Sequence, residues 1–296
     1  KTEIAFFRRG RWRSIIVDTS LISSKSKIVA LSDYDIAVTS ENAGLLVRFL
    51  SDVEAMNEVE VMRSTEKLGW HGGNFVPYCN DEIAFDSESR FTDVYRAIKM
   101  CGSETIWLDA VRRVRASGRS EPRFMMAASF ASILVELCNV LPFIANLYGE
   151  TEGGKTATTK LCTSVWADPA DAKYWISFEN TDASMETKLN FLNNMPLIMD
   201  DSAKVPLFFD ISKFAYMVCN GTGKGRSNQQ LGARATMHWR NAVLTNGEQP
   251  LTDSDMKAGA MNRILDFECG RERIYGDYAP ELCDVLHENY GFAGKR

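Results

Sequence analysis

One stretch of the chain has residue types and a spacing that could bind phosphate. Residues 149–156 read GETEGGKT and match the pattern G-x-x-x-x-G-K-[ST]. In this pattern backbone N–H groups surround the β-phosphate of a nucleotide, the lysine reaches the β- and γ-phosphates, and the final hydroxyl binds Mg²⁺. Lys155 is therefore the candidate phosphate-binding cation, and Thr156 is the candidate metal ligand. The remaining candidate nucleotide-binding residues are Gly149, Thr151, Gly153 and Gly154.

The elements around this loop decide between a working site and a chance match. A working loop needs a buried strand before it and a helix after it, because the N–H groups must converge at a helix N-terminus. LPFIANLY (141–148) is the predicted strand, and TATTKLCTSVW (156–166) is the predicted helix. Glu150 and Glu152 occupy variable positions, from which solvent-exposed carboxylates repel phosphate only weakly. We therefore interpret the loop as a functional one.

A second apolar run ends in two carboxylates. Residues 195–202, MPLIMDDS, are typical of a buried parallel strand whose carboxyl end lies at the ligand-binding edge of a sheet. Asp200 is the candidate Mg²⁺ partner, and Asp201 is the candidate general base that orients the attacking water. A strand that ends in Asp-Asp is common by itself. At about 45 residues after the glycine-rich loop, however, it is the expected partner of that loop in the nucleotide site.

A third predicted strand, WRNAVLTNGE (239–248), ends in polar residues. A polar side chain at the tip of the strand beside the acidic one could touch the γ-phosphate or the attacking water. Asn246 is the candidate for this contact, and Thr245 is the reserve. The alternative is an Asn-Gly turn without a catalytic role, since Asn-Gly is a very common turn signal.

The segment between these strands, residues 220–239, is rich in glycine and basic residues. Its four glycines and the cations Lys224, Arg226 and Arg234 favour a flexible hairpin that grips a phosphate backbone without reading bases. Lys224 and Arg226 are the candidate nucleic-acid contacts. A second contact to the nucleotide phosphates and a mobile loop stay open as alternatives.

One arginine further along could serve a neighbouring subunit. Arg263 begins a short strand-like run in AGAMNRILDFEC (258–269). An arginine finger supplied to the site of another subunit stabilises transition-state charge during hydrolysis. A surface salt bridge is the alternative.

The predicted elements place these candidates in a second, larger part of the chain. Residues 1–86 alternate short strands with one helix and predict a small α+β accessory domain. Within it EIAFFRRGRWRSIIVDTS (3–20) predicts a hairpin around Gly10, KIVALSDYDIAV (27–38) predicts a further strand, and an amphipathic helix is predicted from residues 39–42 to about residue 58.

The rest of the chain is predicted to hold a connector and the core. Residues 87–120 are charged and partly helical, as a connector would be. After Pro122 a single apolar helix is predicted, and from Pro142 onward the order of strand, loop, helix and strand is typical of a parallel α/β sheet. The predicted core therefore spans residues 121–296.

Composition excludes several classes of protein. The chain has 296 residues, 45% of them apolar, and no apolar run long enough to cross a bilayer. A net charge of −5 argues against a surface coated in positive potential. Seven scattered cysteines without C-x-x-C indicate reduced cytoplasmic thiols. With three unpaired histidines a zinc site has almost no ligands, so we expect oxygen ligands for any metal.

Taken together, the motifs resemble a known family. The chain is similar to the phage and mobile-element P-loop proteins grouped as domain of unknown function 927, and the resemblance spans nearly its whole length. It implies an AAA+-type ATPase core, similar to the replicative helicases of staphylococcal cassette elements and, more distantly, to minichromosome maintenance helicases. The stretches that carry it are YGETEGGKTATTKLCTSVWADP, NNMPLIMDDSAK, NGTGKGR and WRNAVLTNGEQPL, with KIVALSDYDIAVTSENAGLLVRFL and EKLGW before them.

The resemblance also implies a mode of action. Such proteins form rings that bind ATP and Mg²⁺ and pump DNA through a central channel. For this chain the resemblance implies a homo-oligomer, expected to be a hexamer, that acts on single-stranded or forked DNA. It would work in the cytosol of a bacterial host. The residues carried over are Lys155 and Thr156 for nucleotide and Mg²⁺, Asp200 and Asp201 as the acidic pair, Asn246 or Thr245 as the sensor, Lys224 and Arg226 on the hairpin, and Arg263 as the finger.

Two departures from the family pattern leave an alternative open. The acidic pair usually ends in Glu, and Asp201 is one methylene shorter. The chain starts with Lys and lacks the helical lid expected after about residue 290, so we expect it to be a piece of a longer protein. The alternative is a nucleotide-gated DNA-binding or scaffolding module with little or no turnover. A small-molecule kinase would need an acceptor pocket and a lid that no segment supplies.

Overall fold

A computed structural model of the chain describes residues 1–57, 59–78, 83–86, 91–170, 174–200, 209–224, 236–270 and 272–295. They divide into two compact units, Lys1–Arg63 and Ser64–Arg296. The strands are β1 (Thr2–Arg8), β2 (Arg11–Val17), β3 (Arg63–Thr65), β4 (Gly69–His71), β5 (Asn74–Val76), β6 (Ile83–Phe85), β7 (Phe143–Tyr148), β8 (Ile176–Ser177), β9 (Leu197–Asp200), β10 (Ala242–Gly247) and β11 (Ile264–Glu268). The helices are α1 (Thr19–Ile22), α2 (Ala43–Met56), α3 (Thr92–Ala97), α4 (Glu104–Ala116), α5 (Ser120–Ala131), α6 (Leu134–Leu137), α7 (Lys155–Ser164), α8 (Asp182–Leu192), α9 (Ile211–Asn220), α10 (Ala258–Met261) and α11 (Ala279–Glu288). Within these ranges no helix is both long and apolar enough to cross a bilayer.

The first unit is built on the predicted hairpin and helix. Strands β1 and β2 pair antiparallel, and Gly10 in the turn has φ +77°, a value that favours glycine. Helix α2 forms as expected. The predicted strand at residues 27–38 is wrong, because Ile28–Tyr34 is a 3-10 helix. Ile28 and Leu31 are three residues apart and almost fully buried, and a helix with three residues per turn directs both to the core.

The strands after residue 63 belong to the second unit. Leu68, Phe75 and Val76 are buried in its core, and the backbone N–H of Leu68 donates to the carbonyl of Phe191 at 2.9 Å. The sequence-based boundary near residue 86 therefore lies downstream of the division that the contacts give. The reason is that β4 and β5 are too short to bury their apolar side chains without the larger core.

The second unit contains the predicted parallel sheet. Its described strands have the order β11-β7-β10-β9-β8 and run parallel throughout. Helices α5 and α7 pack against β10, and α9 packs against β7. All six residues of β10 are buried, as in a central strand of an α/β sheet. The α/β fold class is thus confirmed, although the single apolar helix predicted after Pro122 is divided into α5 and α6.

The strand register aligns the predicted site residues. Tyr148, the last residue of β7, pairs with Gly247, the last residue of β10. On the other side of β10, Thr245 pairs with Met199 of β9. The carboxyl ends of these three strands therefore lie next to one another, at one edge of the sheet.

Candidate functional site

The glycine-rich loop, residues 149–156, connects β7 to α7 and needs glycine at two positions. Gly154 precedes the first helical residue and has φ +98°, and Gly149 has φ +149°. A Cβ atom on Gly149 would lie 2.8 Å from the Cβ of Cys269, and one on Gly154 would lie 3.0 Å from Cδ2 of Tyr275. Backbone conformation and close packing thus both exclude larger residues at these two positions.

Lys155 is held inside the loop. Its Nζ donates to the carbonyl of Gly149 at 2.8 Å and to the carbonyl of Glu150 at 2.6 Å, and the residue is buried. Thr156 follows in the first turn of α7 and is exposed to the cleft. A cation, a hydroxyl and the N-terminus of α7 therefore face the same space, an arrangement suited to a bound anion.

The two glutamates of the loop do not oppose this arrangement. Glu152 is exposed, and its Oε2 lies 2.5 Å from Nη2 of Arg273, so an arginine offsets its charge. Glu150 is exposed and contributes its carbonyl oxygen, rather than its carboxylate, to Lys155. Most of the electrostatic cost expected from the carboxylates is thus removed by solvent and by an ion pair.

Asn246 connects the acidic strand to α7. Its Nδ2 donates to Oδ1 of Asp200 at 2.9 Å and to Oγ1 of Thr159 at 2.8 Å. The Thr159 hydroxyl in turn donates to the carbonyl of Lys155 at 3.1 Å. Asn246 lies within β10 rather than in a turn, which removes the turn alternative. Thr245 is fully buried, and its hydroxyl has no hydrogen-bond partner within the described ranges.

These residues line one cleft of about 390 Å³. It contains Lys155, Thr156, Asp200 and Asn246, so the structure brings the predicted residues of three strands together. The full lining is Thr151, Glu152, Gly153, Gly154, Lys155, Thr156, Ala157, Asp200, Asn246, Gly247, Glu248 and Ala279. Asp201 lies outside the described residues.

Sequence reasoning missed one carboxylate of the cleft. Glu248 directly follows β10, and its Oε1 accepts a hydrogen bond from the Thr151 hydroxyl at 2.6 Å. The sequence did carry a signal, because Glu248 follows the polar strand end that predicted Asn246. The prediction at this strand end concerned only Thr245 and Asn246.

The described ends of the predicted basic hairpin pair with each other. The N–H of Gly223 donates to the carbonyl of Met237 at 2.8 Å, and the N–H of Trp239 donates to the carbonyl of Gly221 at 3.1 Å. Residues 221–223 and 237–239 are therefore antiparallel, as at the base of a hairpin. Arg226 lies outside the described residues.

Lys224 stands at this base and shares a carboxylate with a second lysine. Its Nζ lies 3.0 Å from Oδ2 of Asp182, and Nζ of Lys213 lies 2.8 Å from the same oxygen. The hydrogen bonds from Lys213 and Lys224 lower the pKa of Asp182. Glu186 and Asp210 line the same pocket, so the two lysines stand beside three carboxylates.

Arg263 lies away from the cleft. It precedes β11, whereas the cleft lies at the carboxyl ends of the strands, roughly 16 Å further along the strand direction. Its guanidinium is 4.7 Å from the ring centroid of Tyr216, and it donates to the carbonyl of Gly259. Among the described residues Arg263 makes no ion pair, so the alternative of a surface salt bridge has no partner there.

Comparison with solved structures places the fold beside a helicase. The solved structure of Cch of SCCmec type IV, an active helicase, matches with a TM-score of 0.69 at 14% identity. The match covers 98% of this chain and 55% of that one, so this chain spans about half the length of that protein. At such identity the likeness concerns the fold.

Two further structures match more weakly. The apo C-terminal region of NrS-1 has a TM-score of 0.39 at 10% identity, covering 99% of this chain and 63% of that one. A JCV helicase with a bound small molecule has a TM-score of 0.35 at 11% identity, covering 65% and 53%. These scores are too low to support conclusions about the fold.

Sequence comparison gives the family. No curated protein matches the chain. The profile described as domain of unknown function 927 matches residues 1–238, which include the glycine-rich loop and Asp200. Because this match covers most of the chain, the protein belongs to the family of domain of unknown function 927.

Proposed function

We propose that the chain is the core of an ATP-dependent DNA motor. It would act as a hexameric replicative helicase of a phage or mobile element, located in the bacterial cytosol, that hydrolyses ATP at subunit interfaces and translocates on DNA. The observation that carries the proposal is the single cleft that contains Lys155, Thr156, Asp200 and Asn246 at the carboxyl ends of adjacent parallel strands. The fold likeness to a cassette helicase supports it.

The cleft residues fit ATP and Mg²⁺. Gly149 and Gly154 give the loop backbone conformations that other residues resist, and Lys155 adds a cation at the N-terminus of α7. This donor set matches a triphosphate. Thr156 and Asp200 supply the oxygen atoms that Mg²⁺ prefers and would hold the ion. When bound, the ion neutralises charge on the β- and γ-phosphates.

Each residue then has a defined task. Lys155 releases its two loop carbonyls and donates to the phosphates, where it stabilises negative charge as the γ-phosphoryl group is transferred. Asn246 fixes the orientation of the Asp200 carboxylate through the 2.9 Å hydrogen bond. Asn246 also donates to Thr159 of α7. Through Asn246, a displacement of α7 would therefore shift Asp200 at the end of β9.

Contact with DNA is assigned to the hairpin. Lys224 lies at its base, and a basic hairpin contacts phosphates rather than base edges. A motor must hold any sequence it passes over, so backbone contacts suit it.

Arg263 is assigned to the interface between subunits. It lies at the far edge of the sheet from the cleft of its own subunit, so it could complete only the cleft of a neighbour. Mixing tests this directly. Arg263→Ala and Lys155→Ala proteins are each expected to be inactive. In a mixed ring, some interfaces combine Lys155 from an Arg263→Ala subunit with Arg263 from a Lys155→Ala subunit, so the mixture should regain hydrolysis. A mixture as inactive as its components would contradict this assignment.

Unwinding of a forked DNA duplex tests the motor function. The full-length protein should displace one strand with ATP and Mg²⁺, and neither Lys155→Ala nor a non-hydrolysable ATP analogue should support displacement. Lys160→Ala, on the same helix but outside the cleft lining, is the matched control and should unwind normally. Native mass measurement should detect a ring with ATP and single-stranded DNA. Lack of displacement in the presence of rapid hydrolysis would contradict the motor.

The same assays address the alternative of a module without turnover, which the short side chain of Asp201 motivates. Single-turnover hydrolysis near zero in the wild type, with a large gain in Asp201→Glu, would favour that alternative. A wild-type rate well above background that Asp201→Glu does not raise would favour the motor.

A further inference from the structure

We propose that Glu248 is the carboxylate that orients and deprotonates the attacking water in this cleft, the role that sequence reasoning assigned to Asp201. The inference rests on the proposed ATPase function and assigns the general base within it. Its basis is the position of Glu248 after the central strand of the sheet, its hydrogen bond to the glycine-rich loop and its place in the lining of the cleft.

The strand order puts Glu248 in the middle of the site. It directly follows β10, and β10 lies between the loop strand β7 and the acidic strand β9. Glu248 therefore emerges between Lys155 on one side and Asp200 on the other, and its side chain lines the cleft with both. A carboxylate at that point faces the space where a water must approach a phosphate held by the loop.

The glycine-rich loop forms hydrogen bonds with Glu248 and with the residue before it. The N–H of Gly149 donates to the carbonyl of Gly247 at 3.2 Å, and the hydroxyl of Thr151 donates to Oε1 of Glu248 at 2.6 Å. The Thr151 hydroxyl thus connects the carboxylate directly to the loop that would carry the phosphates.

The segment after Glu248 is anchored as well. The carboxylate of Asp266 in β11 accepts from the N–H of Leu251 at 3.0 Å and from the N–H of Thr252 at 2.8 Å. The Thr252 hydroxyl adds a third bond at 2.6 Å. Glu248 is therefore held between β10 and a fixed turn. A general base needs such preorganisation to keep a water in line for attack.

Among the residues that the structure describes, no cation forms an ion pair with Glu248. The described carboxylates of the cleft are Glu152, Asp200 and Glu248. Glu152 pairs with Arg273, and Asp200 accepts from the amide of Asn246. Within the described ranges Glu248 makes no ion pair, and its Oε2 has no hydrogen-bond partner, so this oxygen is available to a water.

The chemical step balances with ATP and water alone. The water oxygen forms a bond to the γ-phosphorus, the bond from that phosphorus to the bridging oxygen breaks, and ADP leaves with the electron pair. The water proton passes to the Glu248 carboxylate and then to solvent. ATP and water thereby give ADP and phosphate.

Glu248→Gln separates this role from a structural one. The Gln side chain still has an Oε1 atom that accepts from Thr151, so the loop keeps its support, but it cannot take a proton. The rate of hydrolysis should fall about a hundredfold or more, as for loss of a general base. Affinity for a non-hydrolysable ATP analogue, measured by calorimetry, should stay within about twofold of the wild-type value, because the contacts that bind the nucleotide before the reaction are unchanged. The nucleotide retained after rapid gel filtration should be ATP instead of ADP.

The matched control is Glu268→Gln. Glu268 ends β11 at the same edge of the sheet but does not line the cleft, and this variant should hydrolyse ATP normally. Asp201→Asn should lose less activity than Glu248→Gln. Wild-type hydrolysis in Glu248→Gln, or a parallel loss of analogue binding, would overturn the assignment. If the wild type shows no hydrolysis that depends on Lys155, the proposed function fails and this role fails with it.

Discussion

The side-chain amide of Asn246 donates to both Asp200, at 2.9 Å, and Thr159, at 2.8 Å, and so connects the acidic strand to the helix after the glycine-rich loop. Asn246→Ala removes both bonds. Because hydrogen bonds to charged groups contribute about 1.5–3 kcal/mol, we expect ATP hydrolysis to fall about ten- to hundredfold. Thr159→Ala, which leaves the bond to Asp200, should lose less. Steady-state kinetics check this, and a wild-type kcat in Asn246→Ala would contradict the assigned role.

The conformation of Gly154 gives a second prediction. Gly154→Ala should lower the free energy of unfolding, because a non-glycine residue in the left-handed region costs about 1–2 kcal/mol. Its Cβ would also meet Tyr275 at 3.0 Å, and displacement of the loop should weaken ATP binding. Gly276→Ala is the control, since Gly276 has φ +52° but no atom near a new Cβ. Denaturant unfolding and nucleotide titration should show a larger loss in Gly154→Ala, and equal losses would show that packing against the loop is unimportant.

The hairpin base gives a third prediction. Lys224→Ala should weaken binding to single-stranded DNA of any sequence and reduce the slope of log affinity against log salt by about 1, as expected for the loss of one phosphate contact. Lys213→Ala is the matched control, because Lys213 shares Asp182 but lies on α9. Fluorescence anisotropy over a range of salt concentrations measures both. An unchanged slope in Lys224→Ala, or an equal change in both variants, would remove Lys224 from the DNA contacts.

Packing of the loop against Cys269 gives a fourth prediction. Burial raises the pKa of the Cys269 thiol to about 11, so at pH 8 only about one molecule in a thousand carries the reactive thiolate. Alkylation by iodoacetamide should therefore be slow at Cys269 and become appreciable only as the pH rises toward that pKa. Cys138 is exposed and should be labelled much faster. Peptide mass spectrometry resolves the two sites, and equal labelling rates at pH 8 would show that Cys269 is not packed beneath the loop.

The sequence predicted best the features that depend on short stretches. The loop, its strand and its helix are consecutive, so their pattern identifies Lys155 and Thr156 directly. The apolar runs also placed Asp200 and Asn246 at strand ends, and a parallel sheet brings such ends to one edge. Glu248 was missed because its partner Thr151 is 97 residues away in sequence and only the strand order brings them together. The 3-10 helix Ile28–Tyr34 was predicted as a strand because it begins with the β-branched residues Ile28 and Val29, which are typical of strands.

DNA-stimulated ATP hydrolysis tests the central claim most directly. The full-length protein is assayed with Mg²⁺, with and without single-stranded DNA, beside Lys155→Ala and the Lys160→Ala control. The account predicts hydrolysis that DNA accelerates in the wild type and in Lys160→Ala, and hydrolysis at background in Lys155→Ala, whose loop lacks the cation for the phosphates. A wild-type rate at background under all conditions, or an equal rate in Lys155→Ala, would contradict it.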